Sequence, residues 1–438
     1  MAEQAVKKGG FMSWYFDSNL LVRILIGLFL GAGVGLFLAF VPGYTDTFVT
    51  YFKFFGDLFI RLLKMIVVPV IFFSLIAGAA SISPSQLGRV GLKTLIYYLV
   101  TSVISIGIAL ILANLASPGV GLGIVGDAAA EIKLRSAPPM SEVLLAIVPT
   151  NPIESLVKGD VLPIIFFALC FGISLAILRD SKNDAVSGPA NTLYHVFTAL
   201  AETMYKVVHG VMQYAPIGVF VLIAMVFGQQ GPKVIGPLVF LTMLMYVGFV
   251  LVLFLGYGSI LGIFGLNIFK FIKRVQEASI TAFVTRSSSA TLPISMQVAE
   301  EEMGIPRSIS SFTLPIGATV NMDGTAIYLA IGAIFIGNAI GMPLGFDQQI
   351  TLTIVATLAA IGAAGVPGAG AIMMLMVLEA VGLKVEAGNA VAAAYAMILG
   401  TDALFDMGRT CMNVTGDITG ATVVAKTEGS LDLEKWKD

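Results

Sequence analysis

Near the C-terminal end of the chain Asp402, Asp406, Arg409, Asn413 and Asp417 follow one another at spacings of four, three, four and four residues. At 3.6 residues per turn this puts them on one helix face, with Thr410 at its edge. The neighbouring residues are apolar, so the stripe lies on a helix made for a bilayer. Charged groups at bilayer depth cost several kcal/mol at least, so they face a cavity or one another. Arg409 offers a planar fork that matches a carboxylate, and Asp406, one turn away, suits an ammonium group. A zwitterion with an additional carboxylate satisfies both, its α-carboxylate meeting Asn413 and backbone amides at helix N-termini. A structural network in which Arg409 merely pairs with Asp402 and Asp406 would leave Asn413 and Asp417 unexplained.

A second group lies upstream in Asn321-Met322-Asp323-Gly324-Thr325, preceded by Gly317-Ala318-Thr319. Glycine, Asn and Asp disfavour a regular helix interior, and unwinding here exposes carbonyl oxygens beside amide and carboxylate oxygens. Such a set suits a hard cation. With no Cys or His nearby, an alkali ion fits better than a transition metal.

The elements that position these groups are membrane helices. Of 438 residues 57% are hydrophobic and 12% charged, about half the charged share of a soluble domain. Apolar stretches long enough to span about 30 Å of hydrocarbon recur along the chain. We expect helices over 20–41, 53–80, 90–116, 161–178, 193–227 and 235–265, with a polar loop over 117–142. The net charge of −2 gives no reason to expect nucleic acid as a partner. Cys170 and Cys411 lie in apolar segments and read as buried thiols. Residues 1–18 lack the pattern of a cleaved signal peptide.

Basic residues mark every second connection: Arg89 with Lys93, Arg179 with Lys182, and Lys270, Lys273 and Arg274. By the positive-inside rule these connections, and both termini, are cytoplasmic. Beyond residue 267 two apolar segments are interrupted, by Arg286-Ser-Ser-Ser-Ala-Thr-Leu-Pro293 and by Gly362-Ala-Ala-Gly-Val-Pro-Gly-Ala-Gly370. Bare backbone at membrane depth is tolerated only where protein or a watery cavity satisfies it, so both read as re-entrant hairpins. Each precedes a long segment bearing ionisable residues, 308–340 and 387–425. Charge placement makes the first hairpin enter from inside and the second from outside, an inverted repeat that points to a secondary transporter.

Taken together, Arg286 to Pro293, Asn321 to Thr325, Gly365 to Gly370 and Asp406 to Asp417 make the chain resemble the dicarboxylate/amino acid:cation symporters, in particular prokaryotic sodium-coupled aspartate transporters. The resemblance covers nearly the whole chain. It implies an all-α membrane protein of about eight transmembrane helices plus two re-entrant hairpins, working as an elevator within a homotrimer in the plasma membrane. The scaffold would be 14–83 and 117–232, the moving part 84–116 and 233–427, and the cytoplasmic tail 428–438. By the same resemblance, substrate contacts Ser288, Thr325, Val366, Gly370, Asp406, Arg409, Thr410 and Asn413. Co-transported sodium takes three sites: Gly317, Asn321, Asn413 and Asp417; Tyr98, Thr101, Ser102, Asn321 and Asp323; and Thr319 with carbonyls of Ala360, Ile361 and Ala363. Some relatives have hydroxyl residues where this chain has Ala360 and Ala363, which leaves carbonyls as the ligands there. Members resembling C4-dicarboxylate carriers lack an acid at the position of Asp406, so an acidic amino acid, aspartate or glutamate, is expected here, and no enzymatic activity.

Other signals carry less. Gly121-Leu-Gly-Ile-Val-Gly126 matches a dinucleotide fingerprint but lies in a loop between membrane helices rather than after a strand. Asn413-Val-Thr415 has the glycosylation pattern within a membrane helix. Gly27, Gly31 and Gly35 mark close helix packing rather than a ligand. His195 and His209 read as structural. Rival readings are proton coupling, an ion channel, and an intramembrane aspartyl protease using Asp323 and Asp417.

Overall fold

The computed structural model describes residues 18, 20–41, 43–81, 89–124, 145, 147–360, 365, 367–386 and 388–436, and these form helices with no strand among them. Helices α1 (Leu20–Phe40), α2 (Tyr44–Ser81) and α3 (Arg89–Ala116) come first. They are followed by the short α4 (Pro152–Lys158), then α5 (Val161–Arg179) and α6 (Asp184–Gln230). Next come α7 (Ile235–Leu251) and α8 (Gly258–Ile263), joined by a π-helical turn at Val252–Tyr257. The C-terminal half holds α9 (Ile268–Thr285), α10 (Ser288–Gln297), α11 (Arg307–Val320), α12 (Asp323–Ala339), α13 (Phe346–Ala360), α14 (Ala369–Ala380) and α15 (Ala390–Thr427).

Two helices start earlier than hydropathy predicts, α2 at Tyr44 and α6 at Asp184. In α2 the Thr47 and Thr50 hydroxyls donate to carbonyls one turn back, so polar residues sit within the helix without exposing its backbone. The start of α6 is capped by the Asn183 side chain, which accepts from Ala185 N at 3.1 Å.

The breaks in the second half have local causes. Arg286 ends α9 in the left-handed region at φ 55°, Ser287 is extended, and its Oγ accepts from Ala290 N at 3.1 Å to start α10. Asn321 and Met322 leave the helical region between α11 and α12. Gly368, at φ 85°, precedes α14. The expected 117–142 loop and the 362–370 interruption are described only in part. Residues 117–124 pack onto α12, where Ile124 N donates to Ala339 O at 2.9 Å.

Burial divides the helices. The apolar windows of α1 and α2 are 39% and 44% buried, whereas that of Arg307–Ala339 is 100% buried and that of α15 is 83% buried. The polar helices are therefore the interior, and the first helices form a wall around it. In that wall α1 lies on α6 through the glycine stripe: a Cβ at Gly31 or Gly35 would fall 2.5 Å from the Phe220 carbonyl or 2.6 Å from the Ala224 carbonyl. Contrary to the expected burial, Cys170 is exposed on this chain, because α5 turns part of its apolar surface outward, and Cys411 is half-buried; both are free.

Beyond α15 the chain doubles back as a strap. Lys93 holds Glu428 at 2.5 Å and thereby keeps this carboxyl below its ordinary pKa. Asp432 N donates to Gly304 O at 3.0 Å, and Trp436, buried, donates from Nε1 to Met303 O at 3.0 Å. Lys270 donates to the Trp436 carbonyl. Replacing a buried Trp with Ala costs about 3–5 kcal/mol, more than a short terminal segment gains from its few remaining bonds. Trp436→Ala is therefore expected to release residues 430–436, read as loss of amide-exchange protection there with α12 still protected. Retained protection in the strap would contradict this packing account.

Candidate functional site

The polar stripe of α15 is buried along its length. Arg409 donates from Nε to Asp406 Oδ1 at 2.9 Å and from Nη1 to Asp402 Oδ1 at 3.1 Å. Its guanidinium carbon lies 4.7 Å from the centre of the Tyr328 ring. Nη2 is buried and has no hydrogen-bond partner among the described residues. Asp406 also accepts from Gly368 N at 3.3 Å, which ties the stripe to the start of α14. Gly370, in that helix, lies so close to the Arg409 guanidinium that any Cβ would overlap it.

The expected substrate residues Ser288, Thr325, Gly370, Asp406, Arg409, Thr410 and Asn413 border one cavity. Val366 lies outside the described residues. Asn413 accepts from Gly324 N at 2.8 Å and donates to Met322 Sδ at 3.0 Å and to Thr325 Oγ1 at 3.4 Å. Ser287 Oγ donates to Gly365 O at 2.6 Å, so the tips of the two interrupted segments touch beside the cavity. That arrangement brings the N-termini of α10 and α14 to one place, where backbone N–H groups attract an anion.

One turn further along α15 lies a second polar cluster. Asn321 donates to Asp417 Oδ1 at 3.0 Å, and Thr101 donates to Asn321 Oδ1 at 3.2 Å. Ser102 donates to Asp323 Oδ1 at 2.9 Å, and Tyr98 to the Thr313 carbonyl at 2.9 Å. A Cβ at Gly317 would sit 2.5 Å from Asp417 Oδ1 and 2.6 Å from the Tyr98 oxygen, so only glycine leaves room for those oxygens. Residues from the first two expected cation sets thus converge from α3, α11, α12 and α15. The third set is described only in part. The Thr319 hydroxyl turns back to Ile316 O at 3.1 Å, the side chain of Ala360 is not described, and Ile361 and Ala363 lie outside the described residues.

Three side chains at this cavity and cluster escape the sequence reading of the site. Tyr257 donates to Asp323 Oδ2 at 2.8 Å from the π-helical turn. Arg286 and Met322 border the substrate-side cavity. A tyrosine inside an apolar helix is a signal in itself, since a buried hydroxyl requires a partner, but sequence does not say which partner.

An apolar chain, helical among its described residues, with buried charges along α15 and at the α11–α12 break, fits an integral membrane transporter. The chain belongs to the sodium:dicarboxylate symporter family, whose sequence profile matches residues 20–427. It is 36% identical over 426 residues to a proton/sodium-glutamate symport protein of Geobacillus stearothermophilus, covering 95% of this chain and 96% of that one. It is 35% identical over 428 residues to a proton/glutamate-aspartate symporter of Escherichia coli (strain K12), covering 95% and 94%. A C4-dicarboxylate transport protein 2 of Bradyrhizobium sp. (strain ORS 278) is 33% identical over 427 residues, covering 97% and 91%. The family consists of transporters, so the chain is a secondary symporter and not an enzyme, and the protease reading of Asp323 and Asp417 is set aside.

Proposed function

We propose that the protein imports an acidic amino acid, L-aspartate with L-glutamate as a second substrate, together with sodium ions. The observation that carries this reading is the Arg409 fork. Two of its nitrogens are fixed by Asp402 and Asp406, while Nη2 is buried without a partner among the described residues, in a side chain that borders the cavity. A substrate carboxylate supplies the missing acceptor, and Asp406 beside it takes the ammonium group.

Charge bookkeeping supplies the reason for coupling. Among the described residues, Asp323, Asp402, Asp406 and Asp417 are buried here with Arg286 and Arg409 as the buried cations beside them, a formal surplus of two negative charges. An acidic amino acid adds one more. Uncompensated buried charge costs several kcal/mol per ion, so substrate and small cations stabilise each other's occupancy. In this reading substrate is held by Ser288, Thr325, Val366, Gly370, Asp406, Arg409, Thr410 and Asn413. Sodium is held by the Asp417 and Asp323 sets, with Thr319 and carbonyls of Ala360, Ile361 and Ala363 as a third site.

The same reading has eight membrane helices and two re-entrant hairpins in inverted repeats, with cytoplasmic termini. Residues 84–116 and 233–427 move as an elevator against a trimeric scaffold of 14–83 and 117–232. The relatives named as glutamate and glutamate-aspartate symporters favour an amino acid, and an acid at Asp406 gives the amine a partner that a C4-dicarboxylate does not need. Proton coupling is the second reading, favoured by the proton/sodium and proton names of those relatives. Purified protein in liposomes separates the two: aspartate accumulates under an inward sodium gradient at equal pH on both sides. Accumulation under a proton gradient alone, and none under sodium, would replace sodium with protons.

A further inference from the structure

Tyr257 ends the π-helical turn Val252–Tyr257 and is wholly buried. Its hydroxyl has two acceptors in reach, Asp323 Oδ2 at 2.8 Å and the Met412 carbonyl at 3.3 Å, and one proton to give. The other Asp323 oxygen takes the Ser102 hydroxyl at 2.9 Å. Asp323 is thus gripped at both oxygens by donors from two other helical segments, although it stands on the first turn after the Asn321–Met322 break, where its own backbone constrains it least. A π-helical turn inserts an extra residue into a helix and re-aims the side chains that follow, a feature that concentrates at functional sites. α15 is shaped to receive the hydroxyl: a Cβ at Gly416 would fall 2.5 Å from the Tyr257 oxygen and 2.8 Å from Asn321 Nδ2.

We propose that Tyr257 is a positioning residue for the cation chamber, fixing the Asp323 carboxylate so that its remaining lone pairs face a sodium ion; the inference rests on reading Asp323 as a sodium ligand. A carboxylate has about four lone-pair positions, and two hydroxyl donors leave two of them for the ion. The Met412 carbonyl gives the tyrosine proton a second acceptor, so the hydroxyl turns aside without losing a hydrogen bond when an ion claims Oδ2. Tyr257 therefore sets how well the chamber is organised for a cation without itself touching the amino acid.

The test is sodium-dependent aspartate uptake in liposomes by the parent, Tyr257→Phe, Tyr246→Phe and Asp323→Asn. Tyr246 lies on α7, and its partly buried hydroxyl donates to the Leu404 carbonyl at 2.8 Å, away from Asp323, so it controls for loss of a hydrogen-bonded tyrosine hydroxyl on the same helical stretch. Losing one hydrogen bond to a charged group should raise the half-saturating sodium concentration of Tyr257→Phe about tenfold over that of Tyr246→Phe. Aspartate binding at saturating sodium shows that the variant is folded. An equal shift in both tyrosine variants, or none in Tyr257→Phe while Asp323→Asn is strongly shifted, would overturn the positioning role and leave the cation chamber standing. Unchanged sodium dependence in Asp323→Asn as well would overturn the chamber assignment itself.

Discussion

Replacing Arg409 with alanine is expected to abolish acidic-substrate binding. The side chain holds Asp402 and Asp406 through two of its nitrogens, and the proposed function gives the third to the ligand. In the proposed reading, its removal deprives the substrate of a charged partner and leaves two buried carboxylates facing an incoming carboxylate. Truncating one member of a buried, hydrogen-bonded charge group costs about 3–5 kcal/mol, a loss of two to three or more decades in affinity. Arg409→Lys should recover only part of it, since a point charge cannot reproduce the fork. Calorimetric titration with aspartate at high sodium checks both variants, and unchanged affinity in Arg409→Ala would show that the fork is structural.

Asp417→Asn is expected to act on the cation instead. The amide keeps the shape beside Gly317 and Asn321 but removes one charge from a chamber with no basic side chain among the contacts described for it. The concentration of sodium at half-saturation should rise by at least about tenfold, or about 1.4 kcal/mol, a modest figure for a charge removed from a buried ion site. Aspartate affinity at saturating sodium should fall less. Equal sodium dependence in mutant and parent would count against Asp417 as a ligand.

The two variants probe groups that differ in how far sequence reveals them. The α15 stripe is legible because its members share one helix, and 3.6-residue periodicity alone places Asp402, Asp406, Arg409, Asn413 and Asp417 on one face. The breaks at Arg286–Ser287 and Asn321–Met322 are legible because Ser, Asn and Gly disfavour continued helix there. Tyr257 belongs to a different case. Its link to Asp323 spans 66 residues and depends on a π-helical turn that no local pattern announces. Cys170 fails for a related reason, since an apolar helix in a membrane protein faces lipid as readily as protein, and hydropathy does not distinguish them.

The central claim is that amino acid and sodium stabilise each other in adjoining buried chambers, and the most direct measurement is aspartate affinity at zero and at high sodium with ionic strength held constant. The account predicts affinity at least about 100-fold higher with sodium, within the usual range of coupling between sites, and a matching rise in sodium affinity when aspartate is bound. Equal aspartate affinity in the two conditions would contradict it.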